Sequence, residues 1–575
     1  MSTANWIQLA AFLGIIFASA PFLGKFLARV FEGERHILSF LSPLERGIYK
    51  ITGIDAKREM NWKQYLAALL AFNAFGFISL MALLMTQRWL PLNPAKIPNM
   101  SWHLALNTAV SFMTNTNWQA YNGEASASYL SQMAGLAVHN FLSAATGMAA
   151  MLALFRGIRN RPSAGALRAQ AGPGQGAGLG NFWVDITRSL LYLFIPLSLI
   201  LAVLLMSQGV LQNLSGYVHA ATLEGKDQVI PMGPVASQIA IKQLGSNGGG
   251  FFGMNSAHPF ENPTPFSNFL ELLAILLVPA AIPFAFGRMV KDRSQGYAIF
   301  AAKTALFAVG LVVILFAEYG FNGMTGGHGS MEGKEVRFGI SASALWAETT
   351  TVVSNGSVNA MHDSFSPLGG MVAMINLMVG EIIYGGIGAG MYGMLIFLFI
   401  TVFFAGLMVG RTPEYLGKKI ETREVQLSVL AIIGQTVTVL FLAAIAVVTK
   451  PGLSSLSNAG PHGLSEILYA YASGVGNNGS AFAGLNANTV FYNLTMAFAM
   501  LLGRFIVIIP ALAIAGSLAS KTPIPPSVGT FATNNATFVI LLVLTIIILA
   551  GLNFFPALTL GPIVEHFLAL KGVVF

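Results

Sequence analysis

The feature that most constrains this chain is a succession of apolar runs, each about 20 residues long. A helix needs roughly 20 apolar residues to cross the hydrocarbon core of a bilayer. The sequence therefore predicts an all-α polytopic membrane protein with about ten transmembrane helices. Ten runs meet this requirement, the seventh being broken by glycines: Ile7–Leu27, Tyr65–Gln87, Ser131–Phe155, Ile186–Met206, Phe269–Phe286, Tyr297–Phe316, Pro367–Val409, Leu427–Val448, Phe491–Leu518 and Thr537–Phe555.

Composition excludes the soluble classes of protein. Only 9% of the 575 residues are Asp, Glu, Lys or Arg, and 55% are hydrophobic, whereas soluble domains carry about 25% charged residues. Cysteine is absent, which excludes disulfides and thiolate metal sites. The net charge of +8 is typical of some nucleic-acid binders, but most basic residues lie in alternate connections between the runs. By the positive-inside rule these connections are cytoplasmic, which places the N-terminus outside.

Four connections on the predicted outer side share one pattern. Each contains an apolar segment too short to span a bilayer as a helix, followed by a Gly- and Asn-rich tetrapeptide. The segments are His103–Met113, Pro234–Gly245, Ser341–Val353 and Leu464–Gly476. In the four tetrapeptides Asn holds the second place each time, and Gly holds the third in three. This indicates four diverged copies of a helix–short helix–loop–helix unit.

The copies divide the chain into predicted units. An extra N-terminal helix and cytoplasmic loop take residues 1–63, and an extra C-terminal helix takes 536–575. The four pseudo-symmetric repeats are expected at residues 64–160, 181–290, 295–412 (with the broken helix) and 424–520. Between the first two repeats lies a Gly/Ala-rich loop, 165–180, whose role the sequence does not reveal.

A short helix that returns as a loop is typical of channels, because non-helical backbone at membrane depth must be buried or line a water-filled path. Rings of backbone carbonyls can replace the hydration shell of a cation, and the negative ends of short helices favour one. Alternatively, the four tetrapeptides are ordinary turns on the outer side. This interpretation does not explain why each one follows a helix too short to span the membrane. We predict one cation filter formed by Thr114, Asn115, Thr116, Asn117, Ser246, Asn247, Gly248, Gly249, Ser354, Asn355, Gly356, Ser357, Asn477, Asn478, Gly479 and Ser480.

Longer motifs around these tetrapeptides resemble the KdpA family. They are Thr114–Gln119 (TNTNWQ), Ser246–Pro263 (SNGGGFFGMNSAHPFENP), Met361–Gly370 (MHDSFSPLGG), Arg411–Lys419 (RTPEYLGKK) and Asn477–Leu485 (NNGSAFAGL). Members of this family are the potassium-binding, channel-like subunits of the Kdp potassium-transporting P-type ATPase. They belong to a superfamily of K⁺ transporters with four membrane–pore–membrane repeats around one pore. The resemblance runs over nearly the whole chain.

The resemblance implies a function and a set of partners. It implies that the filter takes periplasmic or extracellular K⁺ and passes it to a P-type ATPase subunit, within a high-affinity uptake system of a bacterial-type inner membrane. The implied partners are that catalytic subunit, which uses ATP and Mg²⁺, and small accessory membrane subunits. K⁺ is the only ion expected in this chain, and neither a cofactor nor a catalytic residue is expected. The sequence contains no Walker-type or Asp-Lys-Thr-Gly motif, so we expect no ATP hydrolysis by this chain.

Four further residues are candidates for controlling the ion path. Arg504 lies within the ninth apolar run, where burying a charge in the membrane is costly. Its positive charge would oppose free passage of K⁺, and the resemblance implies that it lies beneath the filter. Glu381 precedes the glycine-rich break YGGIGAG, predicted as a loop beneath the filter. Gln119 would orient filter backbone or bind the ion, and Phe397 would line an apolar passage to the partner. Each feature also has a structural alternative. Arg504 would be paired within the protein, the glycines after Glu381 would permit close helix packing, and Phe397 would be an ordinary core residue.

Other features stay open at this stage. Asp363, Glu124 and Glu261 would raise the local cation concentration in an outer vestibule, whereas His258 and His362 are more typical of hydrogen-bonded vestibule walls. The basic RTPEYLGKK stretch is ordinarily a topology signal, with subunit contact as the alternative. The alternative function is a stand-alone K⁺ channel or symporter of the same architecture. A membrane enzyme is disfavoured, because no clustered metal-ligand pattern such as H-E-x-x-H occurs.

Overall fold

A computed structural model describes residues 1–160, 178–320, 329–380, 382–525 and 530–574. Two short antiparallel hairpins occur in these ranges, β1–β2 (Val218–Ala221, Asp227–Ile230) and β3–β4 (Glu414–Tyr415, Lys418–Lys419). The helices are α1 (Thr3–Glu32), α2 (Ser42–Thr52), α3 (Trp62–Thr86), α4 (Trp102–Met113), α5 (Gly123–Ser126), α6 (Val138–Arg159), α7 (Phe182–Arg188), α8 (Ile195–Ser207), α9 (Val235–Leu244), α10 (Pro265–Met289), α11 (Arg293–Gly320), α12 (Gly339–Val353), α13 (Pro367–Met378), α14 (Ala389–Met408), α15 (Thr422–Val448), α16 (Lys450–Leu453), α17 (Gly460–Val475), α18 (Val490–Ala519), α19 (Ala536–Leu558) and α20 (Val564–Ala569).

Ten of the helical segments in the described ranges are long and apolar enough to cross a membrane. They confirm the ten predicted runs, and several extend further because flanking polar residues continue the helix. The seventh run is divided, as its glycines predicted: α13 ends at Met378 and α14 begins at Ala389. The spanning segments are Thr3–Glu32, Trp62–Trp89, Ser131–Arg159, Phe182–Ser207, Pro265–Met289, Arg293–Gly320, Ala389–Val409, Thr422–Val448, Val490–Ala519 and Ala536–Ala569.

Side-chain caps explain where several helices begin. Asn61 and Gln64 form a reciprocal capping box at the start of α3, and Thr264 and Ser267 form another at the start of α10. Such caps satisfy N–H groups that have no partner inside the helix. Pro265 follows its cap directly, a position where the missing N–H is not needed.

The spanning helices fall into an inner and an outer group. Most of the length of α6, α10 and α14 is enclosed by other parts of the protein, whereas α1, α3 and α19 are mainly exposed. Phe22, Phe75 and Leu552 are among the exposed apolar side chains of the outer group. In a bilayer such side chains contact lipid tails of similar polarity. The outer helices therefore form a perimeter, and the short helices α4, α9, α12 and α17 end in the buried interior.

Two predicted features fall wholly or largely outside the described ranges. These are Glu381 and most of the Gly/Ala-rich loop predicted at residues 165–180. The division of the chain into repeat units stays a prediction.

Candidate ion-binding site

The four Gly- and Asn-rich stretches follow α4, α9, α12 and α17 and meet at one place. Between the first two stretches, Asn115 Nδ2 donates to the Ser246 carbonyl (2.9 Å) and Asn117 Nδ2 to the Gly248 carbonyl (3.0 Å). At the other three junctions a Cβ on a glycine would overlap a backbone carbonyl oxygen of the next stretch: Gly248 against Asn355, Gly356 against Asn478, and Gly479 against Thr116. The contacts run from first to fourth and back to the first, so the stretches close a ring.

The first stretch lies one residue later than the sequence pattern predicted. In each stretch one N–H donates to the carbonyl five residues earlier: Thr116 to Ser111, Asn247 to Lys242, Asn355 to Thr350, and Asn478 to Ser473. Thr116, and not Asn115, therefore corresponds to the three asparagines, and the prediction of Asn at the second place in all four copies was wrong. The sequence TNTN repeats every two residues, so it fits either register. Thr114 precedes the ring, and its hydroxyl donates to the Val110 carbonyl (2.9 Å).

In this corrected register the stretches are termed segment 1 (Asn115–Trp118), segment 2 (Ser246–Gly249), segment 3 (Ser354–Ser357) and segment 4 (Asn477–Ser480). All four are buried. Their first and third residues have positive φ throughout: Asn115 67° and Asn117 54°, Ser246 47° and Gly248 76°, Ser354 55° and Gly356 83°, Asn477 48° and Gly479 87°. Non-glycine residues adopt this conformation only where the surroundings fix them, and such positions cluster at functional sites.

Segments 3 and 4 each contain side-chain hydrogen bonds within the segment. In segment 3, Asn355 Oδ1 accepts from the N–H and the hydroxyl of Ser357 (3.1 and 2.6 Å). In segment 4, Asn478 Oδ1 accepts in the same way from the N–H (2.9 Å) and the hydroxyl of Ser480. The asparagine side chain thus fixes the turn of the segment to which it belongs.

Segments 1 and 2 instead depend on side chains from other elements. Asn115 Oδ1 accepts from Asn247 Nδ2 (2.5 Å) and from the hydroxyl of Ser143 on α6 (2.8 Å). Gln119 also joins them, since its Oε1 accepts from the Gly250 N–H (2.8 Å) and its Nε2 donates to the Gly250 carbonyl (2.9 Å). Of the two predicted roles for Gln119, the structure therefore shows the contact that orients the backbone.

Lys242 is a further support of segment 2 that sequence reasoning missed. Its Nζ donates to the Gly249 carbonyl (2.7 Å) and forms a fully buried ion pair with Glu261 (2.7 Å). At the corresponding positions of segments 1 and 3, Ser111 and Thr350 donate hydroxyl hydrogen bonds to the carbonyls of the fourth residues. The Lys242 ammonium group thus binds the carbonyl of the fourth residue of its segment, as the hydroxyls of Ser111 and Thr350 do in segments 1 and 3.

Arg504 lies within α18, close to this ring. Its Nη2 donates to the Ser143 carbonyl (3.0 Å) and lies beside Gly147. Arg504 is 4% exposed and forms no salt bridge with the residues that the structure describes. Because the Ser143 hydroxyl contacts Asn115, one residue of α6 separates the guanidinium from segment 1.

The break between α13 and α14 also contacts the ring. The Ile387 N–H donates to the Ser246 hydroxyl of segment 2 (2.8 Å), and the Gly385 N–H donates to the Val352 carbonyl before segment 3 (2.7 Å). On its other side, Gly388 packs so closely against Gly147 that a Cβ would overlap the Gly147 carbonyl. The loop is thus enclosed between the ring and α6.

A buried lysine, which sequence reasoning also missed, holds this loop. Lys303 of α11 donates from Nζ to the carbonyls of Ile382 (3.1 Å), Tyr384 (3.2 Å) and Gly390 (2.8 Å). A lone lysine inside an apolar run was the available signal, because intramembrane ionisable residues are rare and functional.

Comparison with known proteins identifies the family. The family model of potassium-transporting ATPase A subunits, KdpA, matches residues 10–567. This chain belongs to the KdpA family. Potassium-transporting ATPase potassium-binding subunits of Pseudomonas entomophila (strain L48) and Rhodospirillum centenum are 55% and 54% identical to it, over 98% and 100% of this chain and 99% of each relative.

A solved structure shares the fold. The crystal structure of the potassium transporter TrkH from Vibrio parahaemolyticus superposes with a TM-score of 0.50, at 13% sequence identity, over 88% of this chain and 97% of that one. With its ten apolar helices, the KdpA-family chain is a multi-pass membrane protein whose fold resembles that of this solved structure.

The acidic residues predicted for the vestibule have other partners in this KdpA-family structure. Glu261 is buried against Lys242, so its charge is neutralised within the protein and the prediction that it attracts cations was wrong. Glu124 Oε2 accepts from the Gly253 N–H (2.8 Å) and so braces the loop after segment 2. Asp363 lies beside His462 (2.9 Å).

The two histidines predicted as vestibule walls lie in packed surroundings. His258 stacks on Phe252, with ring centroids 4.0 Å apart. His362 is buried and its Nδ1 lies 2.8 Å from the hydroxyl of Tyr469, which in turn contacts the Ser480 hydroxyl of segment 4. Both therefore support the loops around the ring.

Phe397 and the RTPEYLGKK stretch lie further from the ring. Phe397 of α14 lines a narrow cavity together with Gln435 and Asn553. The RTPEYLGKK stretch forms β3–β4, from which Lys418 Nζ donates to carbonyls at the C-terminal ends of α6 and α18. A cation is favourable there, and burial lowers the pKa of Lys418 to about 8. Contact with another subunit stays a prediction for the rest of this hairpin.

Proposed function

We propose that this chain is the potassium-binding and translocating subunit of an ATP-driven K⁺ uptake system, and that segments 1 to 4 form its filter. The observation that carries the proposal is the closed ring of four buried segments, each with positive φ at its first and third residues. Backbone with left-handed residues at these two places can turn carbonyls toward one side, and carbonyl rings replace the hydration shell of K⁺. The names of the relatives, potassium-binding subunits, indicate that the ion is K⁺.

The route beyond the ring is proposed from the groups next to it. Arg504 places a fixed positive charge one residue away from segment 1, where it opposes free passage of K⁺. The loop held by Lys303 closes the direct exit; Glu381, which lies outside the described residues, is proposed to lie near the ion route or near Arg504. The ion then leaves sideways along α14, past Phe397, toward a partner.

The partner is a P-type ATPase catalytic subunit, accompanied by small accessory membrane subunits. That subunit binds ATP and Mg²⁺, since the present sequence has no Walker-type or Asp-Lys-Thr-Gly motif. The complex lies in a bacterial-type inner membrane with the N-terminus of this chain outside, as the distribution of basic residues favours.

The proposal is tested by ATP hydrolysis of the complex that co-purifies with a tagged form of this chain. We expect hydrolysis that K⁺ stimulates, with a much higher K⁺ requirement in Gly248→Asp and an unchanged one in Gly551→Ala, whose Cβ would meet open space. A chain that purifies alone, shows no ATPase activity and passes K⁺ into liposomes would contradict the proposal and favour a stand-alone channel or symporter.

The role of Arg504 has its own test. In liposomes that contain the complex without ATP, Arg504→Ala should allow passive K⁺ flux and Arg504→Lys should not, because lysine keeps the positive charge. If Arg504→Ala leaves both active transport and passive flux unchanged, the charge does not guard the path.

A further inference from the structure

A cluster of potential metal ligands lies apart from the ring. Asp363 belongs to the turn that follows segment 3, and His462 and Glu466 belong to the first turns of α17. One ligand atom from each lies within 4.8 Å of the other two. Because His462 and Glu466 are four residues apart on one helix, they present their side chains on the same face.

The ring of His462 is held between two carboxylates. Its Nδ1 lies 2.7 Å from Glu565 Oε1 of α20, and its Nε2 lies 2.9 Å from Asp363 Oδ1. When Nδ1–H donates to Glu565, the lone pair of Nε2 faces Asp363 and Glu466. A carboxylate that fixes the tautomer of a ligating histidine in this way is the usual outer support of a protein metal site.

Glu466 supplies an independent observation. The residue is fully buried, and while its Oε1 accepts from Asn458 Nδ2 (2.8 Å), its Oε2 has no hydrogen-bond partner among the described residues. Leaving a buried carboxylate oxygen without a partner is costly. A cation bound at this oxygen would remove the cost.

The space between the carboxylates depends on a glycine. A Cβ on Gly484 would overlap Glu466 Oε1 and lie 3.2 Å from Asp363 Oδ1. The two carboxylates therefore converge beside this residue, whose φ of +71° also favours glycine.

We propose that Asp363, His462 and Glu466 bind a divalent transition-metal ion of the zinc class, with Glu565 as the carboxylate that orients His462. Imidazole favours such ions over Mg²⁺ and Ca²⁺, and three protein ligands leave one position for water. The proposal goes beyond potassium transport and does not rest on it.

A metal here would join parts of the chain that border segments 3 and 4. The Asp363 N–H donates to the Phe482 carbonyl just after segment 4 (2.7 Å), and the preceding His362 contacts Tyr469, whose hydroxyl lies 2.8 Å from the Ser480 hydroxyl. The ion would thus link the turn after segment 3 to α17 and, through His462, to α20.

The test measures Zn²⁺ bound to the purified full-length chain, in the complex with which it co-purifies, after chelator treatment. Mg²⁺, which the partner subunit uses, should act equally on wild type and on the variants. We expect wild type to take up Zn²⁺ and to unfold at a higher temperature with it. His462→Ala and Glu466→Gln should lose both effects. Glu565→Gln should weaken Zn²⁺ binding about 10- to 100-fold, as outer-shell changes do.

His219→Ala is the matched control. His219 forms an exposed pair with Asp227 (2.8 Å) that belongs to no three-residue cluster in the described ranges. Its removal should leave Zn²⁺ binding unchanged. Equal Zn²⁺ binding in wild type, His462→Ala and Glu466→Gln overturns the proposal, and so does a wild-type protein that takes up no Zn²⁺. Glu466→Gln keeps the shape of the side chain, so this comparison remains decisive if His462→Ala fails to fold.

Discussion

The two halves of the ring reach the same backbone conformation by different means. In segments 3 and 4, Asn355 and Asn478 each bind the serine two residues later in the same segment. In segments 1 and 2 the bracing bonds come from α6 and from Gln119. The difference teaches that a fourfold site tolerates unequal sequences where neighbouring elements supply the missing hydrogen bonds.

Segments 1 and 2, which side chains of other elements support, are also the segments nearest to the contacts of Arg504. Ser143 supports Asn115 through its hydroxyl and accepts from Arg504 through its carbonyl. The Ser246 hydroxyl accepts from the Ile387 N–H of the loop between α13 and α14. Changes at Arg504 or in this loop can therefore reach segments 1 and 2 through single hydrogen bonds.

The largest expected effect comes from adding a Cβ at the third residue of a segment, where Gly248, Gly356 and Gly479 each adjoin a carbonyl of the next segment. Gly356→Ala and Gly479→Ala should each raise the K⁺ concentration needed for ATPase stimulation about 100-fold or more. The left-handed backbone alone costs alanine ~1–3 kcal/mol, and the Cβ would also overlap a backbone carbonyl. Asn117→Ala, at the corresponding place in segment 1, should have a smaller effect because that place already holds a side chain. Near-wild-type behaviour of Gly479→Ala would show that the ring does not bind the ion.

Next in size is the loss of the ammonium group that supports segment 2. Lys242→Met leaves Glu261 buried without its partner, which costs about 3–5 kcal/mol, and should lower both thermal stability and K⁺ affinity. Thr350→Val, at the corresponding place before segment 3, removes one hydroxyl donor and should cost about 1 kcal/mol.

The double variant Lys242→Met, Glu261→Gln separates two causes. It should recover thermal stability, because no charge is left unpaired, while the K⁺ affinity stays low. Equal effects of Lys242→Met and Thr350→Val would show that the buried ammonium group supports its segment no more strongly than a hydroxyl does.

A smaller effect is expected at Gln119. Gln119→Met removes both hydrogen bonds to Gly250, at a cost of about 1–3 kcal/mol, so K⁺ affinity should fall roughly 10-fold. Gln212→Met is the matched control, since Gln212 likewise accepts from a backbone N–H, that of Ser237 at the start of α9, and donates to the Ser237 hydroxyl. An unchanged K⁺ affinity in Gln119→Met would mean that segment 2 holds its shape without this support.

The smallest effect is expected at Ser143. Ser143→Ala removes one of the two donors to Asn115 Oδ1 and should cost about 1 kcal/mol, a several-fold change in K⁺ affinity. Passive K⁺ flux should not appear, because Arg504 binds the backbone carbonyl of this residue. Leakage in Ser143→Ala would show that the hydroxyl also holds Arg504 in place.

Spanning helices were predictable because lipid imposes a minimum apolar length. The break before Ala389 was predictable because glycines interrupt the seventh run. The register of segment 1 was not, since TNTN fits two alignments; the hydrogen bond from Thr116 to Ser111 and the positive φ of Asn115 and Asn117 decide between them.

Pairings between distant residues were also beyond the sequence. No local sequence pattern around Lys242 or Lys303 indicates which groups accept their hydrogen bonds, because only the fold brings these groups close. The cluster of Asp363, His462 and Glu466 joins two stretches about a hundred residues apart. Only the four-residue spacing of His462 and Glu466 was visible, and a metal-site motif requires more than that.

The most direct test of the central claim is to locate the ion. In crystals of the complex soaked with Tl⁺, a heavy substitute for K⁺, anomalous scattering marks bound ions. The account predicts a strong peak inside the ring, bordered by all four segments, that excess K⁺ removes and that is missing in Gly479→Ala. A strong, K⁺-sensitive peak elsewhere in this chain, with none in the ring, would contradict it.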